Sequence, residues 1–450
     1  MSDTTERIQQ LLPAVRELLA RDDSESLRPY LETLHPSDLA DLIEHLEPEE
    51  RVHVLGALPT EVVSEALAEM EEVEKPAELL TRLEPERIAE IVSELADDDA
   101  ADLIGELEPE EQARVLAAIP DASEIEELLH YAEDTAGGIM TTELVAVPSG
   151  LTAGEAIEEV RQQADEMADF YSIFVVDPDR CLRGIVSLQR LVLADPSRPI
   201  LDITEEPPAV VPVHMDQEEV GRILSRYNLV SIGVVDPLKR LVGRVTFDDV
   251  IDVIEAETTE DILRFASVSD EEEVRGSTGD AVRSRLPWLL VNLVTAMAAA
   301  SVVFVFKDTI ERLVVLAAVM PIIAGMGGNA GTQALAVTIR RIALEKETPR
   351  ERWSVVGKEL LVGLVNGLAI GLIASAAGFL LPEAGPVFGL VVLLAMWGNL
   401  IVAGLAGAFI PILLESLGID PAVASSVFVT TLTDLCGFFL LLGLATAILL

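Results

Sequence analysis

The stretch PIIAGMGGNAGTQ, Pro321 to Gln333, lies inside residues 313–339, where there is not one Asp, Glu, Lys or Arg. Crossing a hydrocarbon core takes ~20 predominantly apolar residues, so this run is long enough to span a membrane. Uncharged runs at 286–306, 360–382 and 386–414 flank it, and a fifth, 421–450, is interrupted only by Asp434. The expected fold of residues 285–450 is therefore an all-α transmembrane domain of five helices. Within the second run, Gly327 and Gly331 form a GxxxG spacing suited to close helix packing. Packing alone does not call for Asn329, Thr332 and Gln333, which share one polar helical face. Pro321 and four glycines also raise the expectation of a helix broken here, its freed carbonyls lining a cavity.

Five spans put the two ends on opposite sides. Arg340, Arg341, Lys346, Arg350, Arg352 and Lys358 crowd the connection between the second and third runs, which the positive-inside rule places in the cytoplasm. Residues 1–284 are then expected to be cytoplasmic and Leu450 outside, in keeping with an amino terminus, MSDTTERIQQ, that lacks the pattern of a signal peptide. The charge is uneven. Of 77 acidic and 31 basic residues, 67 and 22 fall in residues 1–284. Such negative charge repels phosphate backbones and excludes a nucleic-acid partner. With only five lysines, this is the balance of a protein soluble in very salty cytosol, and a halophilic source is expected.

From Leu34 a short unit recurs as LHPSDLADLIEHL, LEPEERVHVLGAL, LPTEVVSEALAEM, LEPERIAEIVSEL and LEPEEQARVLAAI. Pro36, Pro48, Pro59, Pro85 and Pro109 mark helix starts, and acids follow in the first turn. Helices this short bury a face only by stacking, so residues 1–133 are expected to form an acidic α-solenoid-like domain. A longer duplication follows, pairing SIFVVDPDRCLRGIVSLQRLV from Ser172 with SIGVVDPLKRLVGRVTFDDVI from Ser231. Each copy reads strand, Asp-Pro turn, strand, helix. This resembles a tandem pair of CBS modules, at 134–197 and 198–256, an α/β unit. CBS pairs often bind adenine nucleotides through a Ser or Thr and an Asp three residues later. Thr246 and Asp249 match that pattern, whereas Ser187 is followed by Arg190.

FDDVIDVIEAETTEDILRFA, Phe247 to Ala266, opens an acidic connecting helix, placed at 248–284. Its like charges at helical spacing repel and are relieved by salt or bound divalent ions. In the fifth run Asp434 is the one ionisable residue, and burying it costs at least ~2.5–3.5 kcal/mol, so it is expected to face a cavity or ion path. Thr430, Thr431 and Thr433 add hydroxyls around it. Glu359, at the start of the third run, lies either at a pore mouth or at the interface. There is no Walker GxxxxGK[ST], no HExxH and no nucleophile with its partners, so no enzyme is expected. Oxygen-only groups suit hard cations, and a ring of them around a hydrated ion fits Mg²⁺.

The whole order, from helical acidic domain and CBS pair to GMGGNAGTQ and TLTD in the second and fifth spans, resembles the MgtE family of magnesium transporters. The resemblance implies a homodimer in membrane lipid with the pore on its two-fold axis. It places Asp434 and the Thr430 carbonyl at the ion, with Asn329, Gln333 and Glu359 near the pore. Thr332 and Ser426 stand where relatives often have asparagine. It also implies a sensor in which intracellular Mg²⁺ closes the pore by bridging the helical domain, the CBS pair and the connecting "plug" helix. The matching positions are Asp98, Asp102, Glu218, Asp249, Asp252, Glu257, Glu260 and Asp261 with the Gly138 backbone, while Asn228 stands where relatives carry an acid. Two further readings remain open: a coupled carrier or exchanger of Mg²⁺ or Co²⁺, and a membrane-tethered Mg²⁺ or nucleotide sensor that conducts nothing.

Overall fold

The computed structural model describes residues 3–21, 24–70, 76–163, 170–266, 268, 278–344, 349–378, 385–421 and 425–450. Lys346, most of 267–277 in the connecting segment, and the parts of the third and fifth runs at 379–382 and 422–424 lie outside the described residues. The chain divides into two compact units, Met1–Glu257 and Thr258–Leu450.

The first unit begins with α1 (Asp3–Ala20), α2 (Ser24–Leu31), α3 (Pro36–Glu44), α4 (Pro48–Ala57), α5 (Thr60–Ala68), α6 (Pro76–Leu80), α7 (Pro85–Val92), α8 (Asp97–Gly105), α9 (Pro109–Ala118) and α10 (Ser123–Leu128). Proline opens α3, α4, α7 and α9, where its missing N–H has no intrahelical role. Pro59 departs from this expectation: it is the N-cap of α5, with Thr60 first in the helix. Odd-numbered helices stack on odd and even on even, from α1 to α9 and from α2 to α10, which makes a two-layered solenoid. Each short helix thereby buries its apolar face, as with Leu39, Leu42 and Ile43 of α3.

Two three-stranded sheets follow. In the first, β1 (Ala146–Pro148) runs parallel to β2 (Ser172–Val176), which pairs antiparallel with β3 (Leu182–Ser187). In the second, β4 (Val210–Pro212), β5 (Ser231–Val235) and β6 (Leu241–Thr246) repeat the topology. The copies share even their irregularities. A register shift falls at Val175/Val176 in one and Val234/Val235 in the other. In the turns, Asp177 and Asp236 accept backbone N–H bonds from residues two and four further on, and Arg180 and Lys239 adopt left-handed backbone. The helices of this part are α11 (Ala153–Gln163), α12 (Leu188–Leu193), α13 (Gln217–Tyr227) and α14 (Phe247–Phe265), the last running out of the second module. One hydrophobic core runs from the solenoid into the second module, through Leu103, Ile104, Val220, Ile232 and Val250. The first module has its own core around Ile173, Val175 and Val186.

The second unit holds α15 (Thr278–Val305), α16 (Lys307–Arg312), α17 (Val315–Leu344), α18 (Pro349–Gly378), α19 (Pro386–Ser416) and α20 (Ser425–Leu449). Five of these are long and apolar enough to cross a membrane: Ala281–Val305, Val315–Ile342, Trp353–Ala376, Pro386–Ser416 and Ser426–Leu449. The bundle is built around α19, which packs against α17, α18 and α20. Gly363, Gly367 and Gly371 of α18 make that approach possible, because a methyl at Gly363 would fall 2.7 Å from the Leu400 carbonyl and one at Gly371 3.0 Å from that of Leu393. The expected break in the second span does not occur. Helix α17 is continuous through Pro321 and the glycines, packed against α19 and α20.

Candidate functional site

Helices α17 and α20 pack in antiparallel sense: Ile323 lies by Gly437, Gly327 by Thr433, Gly328 by Thr430 and Gly331 by Val429. Glycine is what allows it. A methyl at Gly331 would sit 2.5 Å from Val429 Cγ1. Ile322, Gly325, Asn329, Gln333, Val337 and Arg340 of α17 form an exposed stripe at helical spacing. Asn329 and Gln333, one turn apart, therefore share a face as expected. Thr332 does not join it, since its hydroxyl donates to the Gly328 carbonyl at 3.0 Å.

Asp434 is half-buried on α20. The threonine hydroxyls expected around it donate their protons to the backbone of their own helix. Thr430 Oγ1 donates to the carbonyls of Ser426 (2.9 Å) and Val427 (3.1 Å), Thr431 Oγ1 to Val427, and Thr433 Oγ1 to Thr430 (2.9 Å). Serine and threonine in helices commonly bond back in this way. The carboxylate is thus the one strong oxygen donor on this part of α20, beside backbone carbonyls. A cavity of about 200 Å³ opens next to Thr430, lined also by Asn292, Trp288 and Ser426. Glu359 is buried within α18, where Gly404 of α19 passes close to its carbonyl. It sits on a helix that packs mainly along α19, apart from the α17–α20 contact.

Asn399, in the middle of α19, was not legible as a site residue although it is the one polar amide in the fourth run. It is fully buried, its Nδ2 donates to the Ile323 carbonyl at 3.0 Å, and its Oδ1 has no partner.

In the first unit the acidic start of α8 meets α14. Asp97 is buried and accepts from the Thr141 hydroxyl and from both the N–H (2.9 Å) and the hydroxyl of Thr142, tying the solenoid to the chain entering the first CBS module. Asp98 Oδ1 is buried without a partner. Burial, then the negative charge of Asp249, raise the Asp98 carboxyl to about 9. Burial and Asp249 likewise raise Asp99 to about 7, with Asp248 and Glu69 adding to it. Asp249 and Asp252 are raised chiefly by burial as well. Asp98 and Asp249 are therefore brought together, with Asp252 three residues beyond Asp249 on α14 and facing Glu69. Asp99 and Glu69 belong with them and were missed; the i+1 neighbour of a site residue on a helix start was the available signal for Asp99. Burial and mutual repulsion both disfavour the ionised form of these carboxyls, and a nearby cation would favour it.

The remaining positions are distributed. Asp102 is exposed one turn further along α8. Glu218 lies 3.9 Å from Arg222 in α13. Glu257 accepts from Gln217 Nε2 at 2.7 Å, and the Gln217 N–H donates to the Asp134 carbonyl at 2.9 Å, so Glu257 stands beside the linker that carries Gly138. A methyl at Gly138 would fall 2.4 Å from the Ala132 carbonyl. In the second unit Glu260 pairs with Arg264, which also binds Asp420 at 2.7 Å, and Asp261 is exposed. Among the described residues, no three His, Cys, Asp or Glu side chains converge on one metal position. At the nucleotide pattern, Thr246 donates its hydroxyl and N–H to Asp249. In the first module Ser187 caps α12 through the Arg190 N–H, and the Arg190 side chain pairs with Glu205.

Five helices long and apolar enough to cross a membrane, with one carboxylate on α20 beside the helix that carries Asn329 and Gln333, joined to a CBS pair and an acidic solenoid, fit the class of ion transporters. Comparison with known proteins narrows this. Residues 320–444 match the MgtE divalent cation transporter family, 34–134 the MgtE intracellular N domain, and 136–197 and 200–256 CBS domains. The magnesium transporter MgtE of Thermus thermophilus is 36% identical over 98% of this chain and 99% of its own length, and that of Enterococcus faecalis 39% over 72% of each. The crystal structure of the soluble part of a magnesium transporter covers 56% of this chain and 99% of its own, at 31% identity and a TM-score of 0.51. The cytosolic domain of the Mg²⁺ channel MgtE in complex with ATP covers 54% and 99%, at 38% identity and 0.51. The chain belongs to the MgtE family of divalent cation transporters.

Proposed function

We propose that this protein carries Mg²⁺ across the cell membrane through a channel-like path, closed by Mg²⁺ on its cytoplasmic side. The observation that carries the reading is Asp434, the one carboxylate of α20, adjoining the helix whose exposed stripe presents Asn329 and Gln333. Exposed amides at mid-helix are unfavourable against lipid and suit a two-fold axis, where a second copy brings the same groups. In that homodimer Asp434, the Thr430 carbonyl, Asn329 and Gln333 from each subunit surround a hydrated ion, with Glu359 contributing from further away. Mg²⁺ keeps several of its waters and is usually held by one or two carboxylates, so the separated acids of the first unit suit it as well.

In the regulatory part, Asp98, Asp99, Asp249 and Asp252 hold a cation between solenoid and α14, with Asp102, Glu218, Glu257 and the Gly138 backbone as further oxygen donors of the first unit; Glu260 and Asp261 are acids of the second unit. Emptied of cation, these acids repel and the compact arrangement weakens; Mg²⁺ selects the compact, closed state. An adenine nucleotide at Thr246 and Asp249 requires their mutual hydrogen bond to give way, and the ATP complex of the related cytosolic domain supports testing it. The N-terminal unit lies in the cytoplasm and Leu450 outside. The test is Mg²⁺ flux into liposomes under an imposed voltage. Flux that follows voltage without a counter-ion and falls when Mg²⁺ is added on the cytoplasmic face supports the channel; flux that demands a counter-ion gradient replaces it with a carrier.

A further inference from the structure

Asn399 has a part in this path that its apolar surroundings do not explain. Its side chain reaches from α19 into the contact between α17 and α20, with no exposed surface. The amide donates to the Ile323 carbonyl at 3.0 Å, and two glycines make room for it: a methyl at Gly327 would lie 2.2 Å from Nδ2 and one at Gly437 2.8 Å from it. Gly437 lies three residues beyond Asp434, and Gly327 two residues before Asn329. One side chain thus touches the backbone of both helices at the level of the ion-path residues.

Its Oδ1 is buried with no partner, an unfavourable state that an aliphatic side chain of the same size would not have. What the amide supplies instead is a fixed point on α17. That helix carries Gly325, Gly327, Gly328 and Gly331 within two turns, the residues of lowest helix propensity apart from proline, immediately after Pro321. A segment so weak in intrinsic preference is positioned by what holds it from outside. Asn329 and Gln333 ride on that segment.

We propose that Asn399 is a positioning residue that sets the placement of Asn329 and Gln333 relative to Asp434, and through it the choice of cation. The inference rests on the reading of Asp434 as part of the ion path. The test uses the full chain in liposomes, with Mg²⁺, Ca²⁺ and Na⁺ flux measured for native protein, Asn399→Ala, Asn399→Leu, Gly327→Ala and Asp434→Ala, alongside thermal unfolding in detergent. Asn399→Ala and Asn399→Leu are expected to conduct with a Mg²⁺ to Ca²⁺ ratio lowered by about tenfold or more, because selectivity depends on the placement of the coordinating groups. Gly327→Ala, which pushes the amide from its carbonyl while leaving Asn399 in place, should do the same. If the Asn399 variants shift unfolding or lower all fluxes in proportion, with the ratio within about twofold of native, the residue only binds helices together and the proposal fails. Should Asn399→Ala not fold, Asn399→Leu and Gly327→Ala decide. Undiminished Mg²⁺ flux in Asp434→Ala would instead overturn the ion-path reading itself, and the proposal with it.

Discussion

Replacing Asp98 by asparagine removes the carboxyl whose burial beside Asp249 raises it from 3.8 to about 9. Between those values the folded chain holds a proton that the unfolded chain releases, so stability falls as pH rises through the window and levels off above about 9. At pH 7 the native protein without divalent cation is therefore destabilised by at most about 4 kcal/mol relative to a neutral isostere. Asp98→Asn should be the more stable protein in EDTA at pH 7 to 8, and most of that difference should vanish near pH 4. Mg²⁺ should reverse the order, because the ion is favoured by the ionised pair and stabilises only the state that binds it. Displacing the Asp98 proton makes the apparent Mg²⁺ affinity of the native chain rise about tenfold per pH unit from pH 7 to 9 and flatten beyond. Below pH 7 the Asp99 proton, leaving at about 7, adds to that slope. The assay is thermal unfolding of the full-length protein in detergent across pH, with and without Mg²⁺. A variant less stable than native in EDTA, or stabilised by Mg²⁺ as much as native, would refute the assignment of Asp98 to a cation site.

Three further outcomes follow from the packing and charge. Asp97→Ala strands the Thr141 and Thr142 donors and should cost about 3 kcal/mol in denaturant unfolding, with Asp97→Asn costing less. Gly407→Val places side-chain atoms against backbone, since a methyl there already meets the Gly331 carbonyl at 2.6 Å and the Leu335 nitrogen at 2.9 Å; a loss above about 3 kcal/mol, seen as failure to elute as folded protein, is expected. With 67 acidic against 22 basic residues in 1–284, dilution from molar KCl to about 0.05 M should lower the melting temperature in EDTA, and a few millimolar Mg²⁺ should restore more of it than added Na⁺ at equal ionic strength.

Much of the fold was legible because it is written twice or with strong punctuation. The match of Ser172 to Ser231 anticipated two sheets of like topology, and proline at Pro36, Pro48, Pro85 and Pro109 marked true helix starts. The five-residue α6 escaped notice because it is too short to show a helical period. Pro321 and its glycines misled, since local propensity favours a break that packing against α19 and α20 overrides. Among the candidate site residues, Asp434, Asn329 and Gln333 stood out as polar residues in apolar runs. The inward turn of the Thr430, Thr431 and Thr433 hydroxyls was foreseeable from helix geometry, whereas the approach of Asp98 and Asp99 to Asp249 depends on a tertiary contact that no local pattern announces.

The measurement that bears most directly on the central claim is Mg²⁺ uptake by liposomes bearing the purified full-length protein, native against Asp434→Ala, with the lumen and bath each set at low or high Mg²⁺. The account predicts uptake by the native protein, suppressed when Mg²⁺ is high on the face that carries residues 1–257, and none by Asp434→Ala although it folds and melts like native. Equal uptake by the two proteins, or none by native under any ionic condition, would contradict it.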